Sequence, residues 1–316
     1  LRSSHLLDYN PDYKSYPVDL VSETFDKIFY SQKWDVIANF AAHKHVRSEK
    51  DGISVEALIR NNVFGIIKLL KLCEQYPPKY FFSVSTDKAA NPVNIMGASK
   101  SLMEKLILSM KNKFRVSTAR FANVAFSNGS LLDGFTYRYY KGQPLSCPSD
   151  IRRYFVTEQQ SGQICLLSTF LGDSGSIFFP KFGSQKDQIY FRDLAIEFLS
   201  ERDLLPVYVK SEFDAKAYNI RDNPGTYPIY LFNSDTSGEK EYEEFYTLDD
   251  AVDVDKFHSL GIVTTPNQDI DFDGVISNFE KAFQSANCKD HVIKELGKYV
   301  PDFNHLERGL NLDQKM

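Results

Sequence analysis

The 316-residue chain carries 37 Lys and Arg against 42 Asp and Glu, a formal net charge of −5, with 42% hydrophobic and 25% charged residues. This is ordinary globular composition, and without a basic stripe interleaved with aromatics it argues against nucleic acid or an anionic membrane as a partner. The four cysteines (Cys73, Cys147, Cys165, Cys288) are far apart, no signal peptide is recognisable, and no apolar run approaches the roughly 20 residues of a spanning helix. A reduced, cytoplasmic setting is expected.

In chain order, residues 16–20 form the first strand-like run, ending in Asp19-Leu20. A dinucleotide-binding sheet opens with strand, glycine-rich turn and helix. No glycine occurs before Gly52, so a strand, the glycine loop, a helix and a second strand are expected ahead of Leu1. Residues 22–30 read as a short helix capped by Ser22, and residues 35–40 as a buried strand. Residues 62–75 carry Val63, Ile66, Ile67, Leu69, Leu70 and Leu72 at helical spacing, ended by Pro77-Pro78. A strand over 80–85 ends in Ser85-Thr86-Asp87-Lys88; after a Pro-bearing loop, a helix covers 96–111 and a strand 115–121. Strands alternating with helices imply right-handed parallel crossovers, with helices on both faces of one sheet. After about Gly134 the rhythm loosens and aromatics thicken. Helices are predicted at 161–171 and 192–199 and a strand at 177–180, whereas 205–233 fits no repeat. In the tail, 272–286 and 292–299 are helical and expected to fold back on their own chain.

The chemistry concentrates between Ser83 and Ser101. An acid and an amine (Asp87, Lys88) at the C-terminal end of a parallel strand lie where α/β sheets place their reactive groups. Met96 and Lys100, four residues apart, share a helix face. Theirs is the spacing of the Tyr-x-x-x-Lys pair of short-chain dehydrogenase/reductases, with methionine in the tyrosine's place. Five further stretches accompany the block in order: 41–46, 61–63, 119–124, 153–157 and 178–181, followed by Gly238-Glu239-Lys240-Glu241-Tyr242-Glu243-Glu244. Together they resemble the nucleotide-sugar 4,6-dehydratases of the extended short-chain dehydrogenase/reductase superfamily. The nearest resemblance is to the bacterial UDP-N-acetylglucosamine 4,6-dehydratases of surface-polysaccharide and legionaminic-acid synthesis.

That resemblance implies an α/β fold. Residues 1–134 would form a doubly wound parallel-sheet Rossmann domain for NAD(P), incomplete at its N-terminus. Residues 135–316 would form a smaller, interleaved sugar-nucleotide region with a C-terminal extension. It implies a UDP-sugar substrate, a tightly bound and recycled NAD or NADP, no metal, and at least a dimer, paired through helices 62–75 and 96–111. It further implies transient oxidation at C4, which acidifies the C5 hydrogen, loss of water across C5 and C6, and return of the hydride to C6. Asp87 is then expected as the acid at O6 and Lys88 as the base at C5, with Thr86 orienting O4 and Lys100 on the nicotinamide ribose. Cofactor contacts are expected from Asp19, Leu20, Ala41, Ala42, Lys44, Asn62, Ser83, Ser85, Lys100 and Ala122. Substrate contacts are expected from Lys44, Asn123, Arg153, Lys181, Glu239 and Lys240, although Thr236-Ser237 stands where relatives often have Arg-Pro.

The departure at Met96 leaves the oxidation base open, because a thioether takes no proton. Asp87 accepts the O4 proton first, Thr86 or a water relays it towards Lys100, or oxidation is impaired. Methionine here resembles the branch that retains the C5 configuration, so retention is expected, with a C5-inverting dehydratase or a noncatalytic sugar-nucleotide or dinucleotide sensor as alternatives. His43 and His45 share one side of an extended chain, but no third ligand is near them in sequence.

Overall fold

The computed structural model describes residues 13–183, 187–233, 243–266 and 269–305. Helix α1 (Glu23–Phe29) starts where Ser22 accepts a hydrogen bond from the Phe25 amide, as the sequence predicts. The run before it is no strand. Pro17 brings no amide donor, and the Asp19 carboxylate accepts from the Val21 amide at 3.0 Å, which turns the chain into the helix.

Strand β1 (Val36–Asn39) pairs in parallel with β2 (Tyr80–Thr86), joined by one long helical crossover. That crossover begins ten residues before its predicted start, at α2 (Gly52–Ile59), capped by Asp51. A π-turn (Arg60–Phe64) links it to α3 (Gly65–Gln75). Helix α4 (Ile95–Ser109) then leads to β3 (Val116–Phe121). Beyond it lie α5 (Leu131–Tyr140), β4 (Leu145–Pro148), α6 (Glu158–Phe170), β5 (Ser176–Pro180), α7 (Phe191–Ser200), β6 (Leu205–Val209) and β7 (Thr226–Phe232). The chain continues through β8 (Ala251–Asp253), β9 (Leu260–Thr264), α8 (Phe272–Phe283) and α9 (Cys288–Tyr299).

The main sheet runs β1-β2-β3-β5-β9-β8, parallel from β1 to β5 and antiparallel in its last two strands. Strand alternation splits β2 between two cores. Phe81 packs with α2, α3 and α4, whereas Phe82 and Val84 pack with Ile164 and Cys165 of α6 on the other face. Helices therefore cover both faces, the doubly wound arrangement. Among the described residues β1 stands at the margin of this sheet, with Val36 and the following Phe40 exposed.

The region read as irregular builds a second sheet, β6-β7-β4, all parallel, around a separate apolar core of Leu132, Phe135, Cys147, Phe198 and Ile229. Pro206 and Pro228 inside β6 and β7 disguise those strands in the sequence.

The tail folds back as expected. Val275, Phe279, Val292 and Leu296 join the same core as Val55, Leu58, Leu102 and Leu106. Arg60 pairs with both oxygens of Glu280 at 2.8 and 3.1 Å, and the Lys105 ammonium donates to the Tyr299 carbonyl at 2.9 Å. Nearly every residue of α4 is buried within the chain, and α9 of the tail packs on this helix, which was expected to pair with a second copy.

Candidate active site

The site stands where β2 ends. Thr86 is the last strand residue, and Asp87–Ala89 make a 3₁₀ turn onto which α4 is pressed. Gly97 makes that approach possible. A Cβ there would lie 2.5 Å from the Lys88 carbonyl oxygen, so any larger residue would push helix and turn apart. The start of α4 is fixed twice more. Asn94 accepts from the Gly97 amide at 2.7 Å, and Glu49 accepts from the Ile95 amide at 2.6 Å.

The Thr86 hydroxyl donates to Asp87 Oδ1 at 2.7 Å, and the Lys88 ammonium lies 3.2 and 3.4 Å from the two Asp87 oxygens. Asp87 is buried while the Lys88 side chain is about one third exposed (31%). A hydroxyl, a carboxylate and an amine thus form one hydrogen-bonded row, with its amine end partly exposed to solvent. Such a row can accept a proton from one substrate atom and deliver one to another.

Behind the row, Lys100 is buried, with its amine donating to the Val84 carbonyl at 2.7 Å and resting 3.2 Å from Met103 Sδ. Burial pushes its pKa down to about 8, against the pull of Glu104. Folding therefore disfavours the charged amine relative to the unfolded chain, and stability should climb as pH rises from about 8 towards 10.5. Lys100→Met should remove this dependence and be about 1–2 kcal/mol more stable at pH 7, the relief of a buried charge less one unmet carbonyl. Urea unfolding at pH 7 and 9.5 measures it; a variant less stable than the parent at pH 7 would refute the argument.

Several expected cofactor residues serve the fold itself. Asn62 accepts from the His43 amide at 2.8 Å and donates to the His43 carbonyl (3.0 Å) and to Ser99 (2.9 Å). From its π-turn it ties the Ala41-Ala42 loop to α4. Asn39 bonds Ser83 at 3.1 Å and the Ala41 amide at 3.2 Å. Ala122 packs among Phe179, Phe245 and Val263, and Met96 lies in the main core. Asp19 belongs to its own turn, and Leu20 lies against Gly65. Ser85 differs, since its buried hydroxyl has no hydrogen-bond partner among the described residues.

On the substrate side, Lys44 crosses from the β1 loop to Ser127 at 3.4 Å, and burial lowers its pKa against the pull of Asp133. Ser127 follows Phe126, whose φ of 55° is unusual for an aromatic residue. Asn123 donates to Glu243 at 2.7 Å and, more weakly, to the Tyr154 carbonyl at 3.4 Å. Arg153 is buried, and its charge reaches Glu243. Lys181 turns away and donates to the Val254 carbonyl at 2.7 Å. Glu239 and Lys240 lie outside the described residues.

Two groups escaped the sequence reading. Glu243 accepts from Asn123 and, through Oε2, from the Tyr154 amide at 2.7 Å; burial and then the Asp87 charge push its pKa up to about 7. Arg120 and Glu104 form a buried two-point ion pair (3.0 and 2.8 Å), and the same guanidinium donates to the Phe245 carbonyl at 2.7 Å. Glu243 at least lies in a recognised motif, but no spacing rule connects it with Asp87.

The fold is that of the protein described as Pen from Bacillus thuringiensis, with a TM-score of 0.65, 20% identity, and 87% of this chain and 84% of that one covered. By sequence the chain is 29% identical over 238 residues to the uncharacterized membrane protein MJ1061 of Methanocaldococcus jannaschii, covering 69% of this chain and 70% of that protein. It is 27% identical over 236 residues to an inverting UDP-N-acetylglucosamine 4,6-dehydratase of Campylobacter jejuni, covering 72% and 66%. The chain spans between 34% and 70% of the length of these and other leading relatives. The family described as polysaccharide biosynthesis protein matches residues 20–263, well over half of the chain, and the chain belongs to that family.

Proposed function

We propose that this chain dehydrates a UDP-N-acetylhexosamine, UDP-N-acetylglucosamine first among them, to the 4-keto-6-deoxy sugar for surface-polysaccharide synthesis. The observation that carries the reading is the Thr86–Asp87–Lys88 row at the end of a parallel strand. A simple epimerase or reductase has no use for an adjacent acid and amine there.

The residues at this end of β2 suit NAD(P). The Lys100 amine and the partnerless Ser85 hydroxyl are buried polar groups at the same end of β2. Lys100 and Ser85 would hold the dinucleotide, which when bound would supply reversible hydride chemistry to the sugar. The chain's own residues move the protons. Asp87, as carboxylate, takes the O4 proton directly or through the Thr86 hydroxyl. Lys88, as free amine, then takes the C5 proton made acidic by the C4 ketone. Asp87 gives its proton to O6, the C6–O bond breaks and water leaves. Lys88 returns a proton to the other face of C5, which inverts that centre, and both groups end as they began. Lys44, Asn123 and Arg153 hold the sugar and diphosphate. Met96 requires only that the oxidation base be another group, which Asp87 supplies.

Two relatives from Campylobacter jejuni are named as inverting UDP-N-acetylglucosamine 4,6-dehydratases. They favour inversion at C5 over the retention expected from Met96. Among the described residues, no helix is long and apolar enough to cross a membrane. We place the reaction in the cytoplasm, where UDP-sugars are made, and keep assembly into homo-oligomers as part of the proposal, through surfaces other than the covered face of α4. The test is incubation of the full-length protein with UDP-N-acetylglucosamine and NAD in D2O, followed by proton NMR. A 4-keto-6-deoxy product with inverted, deuterated C5 is expected. A product of retained configuration overturns the stereochemical assignment, and no ketone overturns the dehydratase reading.

A further inference from the structure

Beyond α9 the chain turns back along α4. Val300 is buried, the Phe303 amide donates to the Val300 carbonyl at 3.0 Å, and the Phe303 ring packs on the main core. Where this run begins, the Lys105 ammonium of α4 donates to the Tyr299 carbonyl at 2.9 Å. Where it ends, the Asn304 amide donates to the Pro92 carbonyl at 3.2 Å, and His305 Nε2 lies 3.8 Å from Glu49 Oε2. The same Glu49 oxygen accepts from the Ile95 amide at 2.6 Å. From Lys105 back to Ile95 the helix extends about 15 Å, a span that about six residues of extended chain can cover. Residues 300–305 therefore form a strap that runs from the middle of α4 to its first turn.

The strap ends on the two pieces that fix the Asp87–Lys88 turn. Pro92 lies in the loop joining Asp87–Ala89 to α4, and Ile95 opens the helix whose Gly97 approaches the Lys88 carbonyl. Asn91 of the same loop donates to Glu244 at 3.0 Å. The turn has little of its own to hold it: the Ala90 amide reaches the Asp87 carbonyl at 3.2 Å and the Lys88 amide reaches Thr86 Oγ1 at 3.4 Å. So short a 3₁₀ segment takes its placement from whatever holds its ends. The family match stops at residue 263, so the strap lies outside it. We propose that this strap places the Thr86–Asp87–Lys88 row, with Asn304 and His305 as positioning residues acting through Pro92 and Glu49. Without them the chain keeps its cores, because only the loop and the first turn of α4 lose their ties, and such segments open locally without global unfolding. A shift of about 1 Å in groups that move protons is enough to slow turnover by about 10²-fold.

The effect on turnover rests on the dehydratase reading, whereas the strap's hold on the loop does not, and two measurements separate them. The first is hydrogen–deuterium exchange of the full-length protein, read by mass spectrometry over residues 87–97. Asn304→Pro, which removes the amide donor, combined with His305→Ala should speed exchange there by about tenfold, the loss of roughly one net hydrogen bond. Residues 145–148 and 226–232 of the second sheet should keep the parental rate. With Asn304 intact, His305→Ala should give about threefold, and His305→Gln, which keeps a donor within reach of Glu49, should return to the parental rate. This pair carries the test if the proline variant does not fold. Unchanged exchange over 87–97, an equal rise in the second sheet, or a glutamine no better than alanine overturns the proposal. The second measurement is the split between kcat and KM. The double variant should lose about tenfold in kcat with KM for UDP-N-acetylglucosamine within about threefold of the parent. A kcat equal to the parent's, or a change confined to KM, also overturns it. If exchange behaves as expected but the parent forms no ketone, the dehydratase reading fails and the strap stands.

Discussion

Asp87→Asn should lower kcat by about 10²–10⁴-fold while leaving KM within a few-fold of the parent, because it removes proton transfer and little else. The asparagine oxygen still accepts the Thr86 hydroxyl that now bonds Asp87 at 2.7 Å, and the side chain still fills a buried slot. What disappears is the ability to take a proton from O4 and give one to O6. Following the C5 hydrogen in D2O tells the two uses apart. If Asp87 receives the O4 proton, the variant cannot form the C4 ketone, and C5 exchange stops together with dehydration. If Asp87 acts only at O6, exchange continues without loss of water. Lys88→Met should stop exchange in either case, since it removes the base at C5. A variant of Asp87 that keeps more than a tenth of the parental rate would remove the Asp87–Lys88 row from the mechanism.

Glu104→Ala should destabilise the chain by about 3–5 kcal/mol, the loss typical when one partner of a buried ion pair is removed. Arg120 and Glu104 are almost fully buried, at 6% and 3% side-chain exposure. The next carboxylate, Asp250, lies 3.9 Å from the guanidinium, too far to replace two short bonds. In urea the midpoint should drop with little change in slope, and Glu104→Met combined with Arg120→Met should recover much of the loss, because no orphaned charge remains. A loss below about 1 kcal/mol would mean that water reaches the pair. The site should suffer too. Arg120 holds the Phe245 carbonyl two residues beyond Glu243, so the single variant should also weaken the junction of Glu243 with Asn123.

These two cases also mark what a linear reading can and cannot reach. Asp87 and Lys88 are legible because they end a strand whose apolar run and terminal cluster are both local. Met96 and Lys100 are legible because helical spacing is local. The Arg120–Glu104 pair is not, for a strand arginine and a helix glutamate are unremarkable until β3 packs under α4. Residues 16–20 misled for a related reason: β-propensity needs a neighbour to become a strand, and Pro17 and Asp19 favour a turn. Helix α2 was missed because Gly52 and Ser54 look like loop residues, although Asp51 caps the helix by accepting from the Ser54 amide at 2.7 Å. The Met96 signal for retention was local as well, and inversion at C5 stands as part of the proposal.

By itself, then, the sequence determined the α/β alternation, the strand that ends in Thr86-Asp87-Lys88 and the helix that places Lys100, since each depends on contacts within a few residues. Only the tertiary structure decided that 205–232 contributes a second sheet, that α9 packs on α4, and that the Asp87 charge acts on Glu243, more than 150 positions away. The physical reason is that burial and charge coupling are properties of a closed-up chain. A carboxyl's proton is held by the groups that folding brings around it, and those groups have no fixed distance along the sequence.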